Sequence, residues 1–354
     1  MPAADYANNE ENNIRRFLWK VKLMKTAPGE HNLGNDIQES EPRTRVALSR
    51  VGVTGLKRLL RLRAPGKRGK TIFFAEMDLY AHLDEFHSGV HMSRFIENIE
   101  DISSMMAAES SPDIETMAER MAFAIARTQG TRRAEVRVRA QFPRSRRTPV
   151  SGGSVEDMYT FIGTAISDGT ATRRAVGVEV TGLTVCPCAR AMVSEHARGA
   201  LVSAGYTPSQ ADDIISIIPI ASHNQRGVGT LVIGTQIPIQ AETLVEISEN
   251  AMSSGIYELM KRPDELHVVL SGHSRPRFVE DVVREMIGGV TEHLPDLPDD
   301  TFVQARQENF ESIHVHNASA ERCGLLGGMR RELAGRRNDS RDFSSLEAWL
   351  ESLL

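Results

Sequence analysis

The stretch RAVGVEVTGLTVCPCAR, from Arg174 to Arg190, carries the decision about the fold. Val176, Val178 and Val180 fall on alternate positions, and Leu183 and Val185 continue the apolar run, which predicts a strand buried by its neighbours. Pro187 then turns the backbone and leaves Cys186 at the end of that strand. A thiol in that place is either a small packing residue or a ligand, and this stretch alone leaves both readings open.

Working outward, the strand turns back through Asp168-Gly169 onto another expected over Tyr159–Ile166. Downstream, Thr207-Pro208-Ser209-Gln210 has the capping-box pattern of a helix start. The polar turn Ser222–Gly227 leads to a strand over Thr230–Ile237, and helices are expected over about 241–260 and 277–292. The second helix has Val279, Val282, Val283, Met286 and Val290 on one stripe. A final strand system runs from Phe302 to Cys323.

The first half has the same order. Strands over Thr44–Leu60 and Thr71–Leu83 flank a basic run, Lys57–Lys70, that reads as a solvated hairpin. A helix opens in GVHMSRF, and its polar His91, Ser93 and Arg94 sit where exposed N–H groups suit an anion or simply face solvent. A second helix has Ser111 as N-cap, Pro112 in its first turn and Ile114, Met117, Met121 and Ile125 on one face; Gly130 ends it. Ala134, Val136, Val138, Ala140 and Phe142 then alternate strictly with polar residues, as a half-buried strand does.

Strands, two helices and strands thus occur twice, divided at Pro149–Gly153. That order predicts an α+β fold of two tandem antiparallel-sheet units, each with helices packed on one face. The expected division is a mobile leader over 1–40, a first unit over 41–150, a second over 151–326 and a tail over 327–354. In the tail, Ser344 and Glu347 form a capping box, and Phe343, Leu346, Trp349, Leu350 and Leu353 line a short helix that docks on its own subunit or a neighbour.

Composition narrows the function. A net charge of −5 over 354 residues gives no reason to expect nucleic acid or an anionic membrane as partner. No apolar run approaches the roughly 20 residues of a spanning helix. Three cysteines make no disulfide framework, and Cys186 and Cys188 are too close to pair without strain, so a cytoplasmic chain with reduced thiols is expected.

Donors that suit a metal are few: Cys186 after its strand, His223 in the polar turn, Glu280 near a helix start, and His314 and His316 two residues apart. Thiolate, imidazole and carboxylate together bind Zn(II), Fe(II) or Mn(II), the carboxylate favouring the harder two. Each donor also has an ordinary structural explanation, and spacing does not decide between them.

Five blocks add what spacing cannot: VTGLTVCPCAR (Val180–Arg190), SHNQRG (Ser222–Gly227), KRPDE (Lys261–Glu265), RFVEDVVR (Arg277–Arg284) and ENFESIHVHN (Glu308–Asn317). Together with GVHMSRF (Gly89–Phe95) upstream, they resemble the type IB GTP cyclohydrolase family over roughly residues 45 to 325. The resemblance implies the tunnelling fold, with two such units per chain, assembled as a homo-oligomer (dimer or tetramer). It implies one divalent metal per subunit, Fe(II) favoured and Mn(II) or Zn(II) also suited, held by Cys186, His223, Glu280 and His314. Glu311 would anchor the guanine edge of GTP, His316 would move protons beside the catalytic Cys186, His223 and His314, and Cys188 is not carried over as a ligand. Lys261, Arg262, His91 and Arg94 are the expected triphosphate contacts.

The implied reaction is hydrolysis of GTP at C8, with release of formate and formation of a 7,8-dihydroneopterin phosphate for pterin cofactor biosynthesis. Between Cys186 and His223 stand 36 residues, more than in the folate-type members. That insertion resembles the archaeal-type branch, whose product is the 2′,3′-cyclic phosphate on the way to methanopterin, so the cyclic product is favoured. The alternatives are the folate-type triphosphate product, feeding tetrahydrofolate, and a non-catalytic tunnelling-fold protein that binds a purine or pterin. A nitrile reductase of the same fold, with Cys186 or Cys188 as nucleophile, is a third.

Overall fold

Among the described residues nine strands form one sheet, and the runs that alternate in sequence are the ones that form it. The computed structural model describes residues 37–63, 70–108, 113–337 and 343–352. The expected leader up to residue 36, the middle of the basic run, the Ser111-Pro112 cap and Leu353 lie outside the described residues. The strands are β1 (Leu48–Arg63), β2 (Lys70–Leu83), β3 (Ala134–Arg147), β4 (Ser154–Ser167), β5 (Thr172–Val185), β6 (Asn224–Gly234), β7 (Ser254–Gly255), β8 (Phe302–Asn309) and β9 (Ala318–Leu325). Their order is β1-β2-β3-β4-β5-β6-β8-β9, with the short β7 paired to β5. The pairs β1–β2, β5–β6, β6–β8 and β8–β9 are antiparallel. The α+β class with an antiparallel sheet is therefore as expected.

Two compact units share these strands. One takes the described residues within Met1–Val138, Gly163–Arg174 and Leu350–Leu354, and the other takes Arg139–Ile162 and Ala175–Trp349. Long strands β3, β4 and β5 continue from one unit into the other, so the units do not divide at a single point of the chain.

In the first unit, helices α1 (Met92–Ala108) and α2 (Ile114–Gln129) pack on each other and on the hairpin β1–β2. Ile114, Met117, Met121 and Ile125 are all buried, as their spacing predicts, together with Phe95, Ile99 and Met106 of α1 and Met77 and Leu79 of β2. Each large side chain so buried stabilises the fold by roughly 2 kcal/mol before entropy is counted. Gly130 closes α2 in the left-handed region at φ 67°, and its N–H donates to the Ala126 carbonyl. Within the described residues the N-cap position is Asp113.

In the second unit, α5 (Ala241–Ala251) and α7 (Val279–His293) pack together, and α7 lies on β8 and β9. The predicted stripe of Val279, Val282, Val283, Met286 and Val290 is buried throughout. One expectation needs correction, and two helices appear where the sequence predicted no element. The helix expected over 241–260 stops at Ala251, because Ser254 and Gly255 pair with Leu183 and Gly182 of β5. A separate helix, α6 (Arg262–Ser274), begins at KRPDE. Between Cys186 and Thr207 the chain forms α3 (Pro187–Ser203), which buries no residue and so has no apolar stripe to read.

Thr207 caps α4 (Pro208–Ile217) with the capping box its sequence announces. Arg198 of α3 meets Asp212 of α4 at 2.7 Å. After α8 (Leu326–Leu333) comes the terminal α9 (Leu346–Glu351). Its cap is Ser345, which accepts from Ala348 N–H, one residue later than the expected Ser344. Trp349 stacks on Phe302 of the same unit with ring centroids 5.4 Å apart, so the tail docks on its own chain.

Candidate active site

All of the candidate metal ligands and Glu311 belong to the second unit, at one end of β5, β6 and β8. Val185 is paired with Asn224 at the end of the β5–β6 ladder, so Cys186 and His223 are the next residues outward. The Cys186 N–H donates to the His223 carbonyl at 3.1 Å, and Ser222 Oγ donates to the Cys186 carbonyl at 2.6 Å. Cys186 is also the N-cap of α3, its sulfur accepting from the Ala189 N–H at 3.4 Å. It is half-buried and Cys188 is exposed; neither is in a disulfide.

α7 is tied to the same place. Arg277 N–H donates to the Val185 carbonyl at 2.9 Å, two residues before the helix begins at Val279. Glu280, in the first turn, is thus positioned by the strand end that carries Cys186, although its side chain is exposed. The loop between β8 and β9 comes back over β6, where Phe310 N–H donates to the Arg226 carbonyl at 2.9 Å. It carries Glu311, His314 and His316. The His314 ring meets the His223 ring edge-on with centroids 6.4 Å apart, and His316 stacks on His314 at 5.1 Å. The two histidines of His-x-His therefore share a side.

Sequence reading assigned no role to Gln225. It lies on the inward face of β6 with Gly227, Gly229, Leu231 and Ile233, and a glutamine in that series is the signal that could have flagged it. Its Nε2 donates to Thr184 Oγ1 at 3.2 Å and to Glu311 Oε1 at 3.4 Å, and its Oε1 is 3.1 Å from His223 Nδ1. Glu311 Oε2 is itself 3.8 Å from His223 Nδ1. Gly227 and Asn309 are a ladder pair, and a Cβ at Gly227 would overlap the buried side chains of Gln307 and Asn309. A side chain at 227 would have to displace those two buried amides.

The backbone so brings Cys186 beside His223, begins the helix of Glu280 at Val185 and sets the His314 ring against His223. Their side chains do not close on a common point: among the described residues no three His, Cys, Asp or Glu groups are placed to hold a metal ion. The donor set itself, one thiol, two imidazoles and one carboxylate, suits a borderline divalent ion. His223 also has the supported ring nitrogen that metal-bound histidines have.

The four expected triphosphate contacts are placed differently. Lys261 and Arg262 are exposed at the start of α6. The next buried residue of KRPDE, Asp264, accepts from the N–H groups of Val150, Ser151 and Lys261 and from Ser151 Oγ. His91 and Arg94 belong to the first unit. There the His91 main chain is held at both N–H and C=O by Gln129, its Nε2 is 3.4 Å from Glu39 Oε1, and Arg94 donates to the Thr128 carbonyl at 3.3 Å. His91 also lines a cavity of about 610 Å³ with His82, Asp84 and His87.

Comparison with known proteins fixes the class. Residues 35–320 match the family described as type I GTP cyclohydrolase folE2, and the chain belongs to that family of hydrolases. More particularly, it is 39% identical over 307 residues to GTP cyclohydrolase MptA of Methanothermobacter thermautotrophicus, covering 84% of this chain and 95% of that protein. It is 37% identical over 307 residues to GTP cyclohydrolase MptA of Methanobrevibacter smithii, covering 84% and 97%. The protein of the same name from Haloferax volcanii is 36% identical over 304 residues, covering 84% and 97%. Among solved structures, the uricase of Arthrobacter globiformis superposes with a TM-score of 0.49 at 9% identity, covering 86% of this chain and 100% of that one. No helix among the described residues is long and apolar enough to cross a membrane.

Proposed function

We propose that this chain hydrolyses GTP at C8, releases formate and forms 7,8-dihydroneopterin 2′,3′-cyclic phosphate. The observation that carries the reading is the pairing of Cys186 with His223 at the ends of β5 and β6, with Glu311 held beside His223 through Gln225. Cys186, His223, Glu280 and His314 would hold one divalent ion, Fe(II) by preference and Mn(II) or Zn(II) as substitutes. When bound, that ion makes water a nucleophile near neutral pH.

The chain's own groups do the rest. Glu311 accepts the N–H edge of guanine and so orients C8 towards the Cys186–His223 pair. Its side chain is only 10% exposed, which strengthens such a charge-assisted bond. His316, whose ring stacks on His314, passes protons as formate leaves in this reading. After ring opening and re-closure to the pterin, the free side-chain hydroxyl gives its proton to water and attacks the α-phosphorus, and pyrophosphate leaves with the electrons of the broken P–O bond. The MptA name of relatives at 36–39% identity and the α3–α4 insertion both favour the cyclic product. Lys261 and Arg262 are assigned to the phosphates on charge alone. We also assign the enzyme a homo-oligomeric state.

The test is GTP-dependent formate release by protein reconstituted anaerobically with Fe(II) or Mn(II). Formate in step with GTP loss supports the reading. Protein that binds GTP without releasing formate would support the non-catalytic alternative. Consumption of NADPH with a deazapurine nitrile would support the reductase.

A further inference from the structure

We infer that Gln225 is a positioning residue that sets both His223 and Glu311, so that the metal end and the guanine end of the site are built from one side chain. The inference rests on the metal-centred reading above. The orientation of the amide follows from its partners, which tell the oxygen of a glutamine from its nitrogen. Glu311, as a carboxylate, offers only acceptors, so the group 3.4 Å from its Oε1 must be the amide NH₂. Thr184 agrees: its hydroxyl donates to the Gln225 main-chain carbonyl at 3.4 Å, leaving its oxygen to accept from the same NH₂ at 3.2 Å.

Both amide hydrogens are thereby used, and Oε1 is left facing His223 Nδ1 at 3.1 Å. An amide oxygen can only accept, so His223 carries its proton on Nδ1. The Nε2 lone pair is then the free one, which is the state a metal-binding imidazole needs. Gln225 is 6% exposed, and its partner Thr184 is fully buried, so water does not compete for these bonds. One amide therefore fixes the tautomer of His223 and the direction of Glu311 together.

The two roles separate by substitution. In Gln225→Glu the carboxylate still accepts from His223 Nδ1, but it turns a second acceptor on Glu311. In Gln225→Ala both relationships are gone. Metal-stripped protein is titrated with Mn(II) and Zn(II) by calorimetry, and GTP binding is measured separately by equilibrium dialysis, with thermal midpoints checked for each variant. The expected result for Gln225→Ala is metal affinity weakened by about 10- to 100-fold. For Gln225→Glu, metal affinity stays within about threefold of wild type while GTP affinity falls by about tenfold or more. Metal affinity unchanged in Gln225→Ala would overturn the inference alone. Equal loss of metal in both variants, with lowered midpoints, would reduce Gln225 to a packing residue and also overturn it. Wild-type protein that takes up neither ion would overturn the proposed centre and this inference with it.

Discussion

Cys186 and His223 are bonded through their main chains, N–H to carbonyl at 3.1 Å, one residue beyond the last pair of the β5–β6 ladder. Cys188, two residues on, is exposed in the first turn of α3. The main-chain pairing brings Cys186, and not Cys188, next to His223. Cys186→Ala is expected to abolish metal retention and activity, while Cys188→Ala keeps most of the metal, measured as metal per subunit after gel filtration. Cys186→Ser separates the ligand from the cap, since serine also caps a helix. Equal losses at 186 and 188 would overturn the ligand assignment.

Glu311 reaches His223 only at 3.8 Å and is held by Gln225, which suits a substrate anchor more than a ligand. Glu311→Ala is expected to weaken GTP binding at least about thirtyfold with metal content unchanged. Loss of the metal in this variant would make Glu311 a ligand and leave Glu280 a structural residue.

Asp264 gives KRPDE a structural role at the Pro149–Gly153 segment. Burial pushes its carboxyl up, but bonds from Ser151, Lys261 and Val150 outweigh it and hold the group well below the usual carboxylate range. A depressed acid stabilises the fold above its unfolded value of 3.8 and loses that contribution as pH falls through the folded value. Asp264→Asn, with one acceptor oxygen for several donors, is expected to lower the thermal midpoint by roughly 5 °C or more at pH 7. The gap to wild type narrows in acid below pH 3.8. A midpoint gap that does not change with pH would contradict the assignment.

Glu115 in α2 behaves in the opposite sense. Burial, with Asp113 beside it, pushes its carboxyl up from 4.5 to about 7. A raised acid costs nothing below its unfolded value, and stability is lost as pH rises from there through the folded value. Denaturant melts of wild type are expected to weaken between pH 4.5 and about 7 and then level off. Glu115→Gln should remove that slope and be the more stable form at pH 8. A variant that keeps the slope would refute the assignment.

Where a residue faces a single sheet or helix, its role was legible from spacing. Val176, Val178, Val180 and Val185, the α2 face and the α7 stripe are buried as read, while Leu183 is half-buried. Helix α3 was not legible, because a helix that buries nothing leaves no period in the sequence. The break after Ala251 was hidden as well, since it depends on Ser254 and Gly255 meeting a strand some 70 residues earlier. At the site, the ligand candidates came from resemblance, and their neighbourhood comes from strand register. Gln225 escaped notice because a glutamine is ordinary in sequence; it matters only when the inward face of β6 and the β8–β9 loop converge on it.

The mass of the pterin product tests the proposed reaction. Protein reconstituted with Fe(II) is incubated with GTP without oxygen, and the pterin product is weighed by mass spectrometry. The expected products are 7,8-dihydroneopterin 2′,3′-cyclic phosphate and pyrophosphate. Accumulation of dihydroneopterin triphosphate would contradict the assigned product, and GTP recovered with C8 intact would contradict the proposed hydrolysis itself.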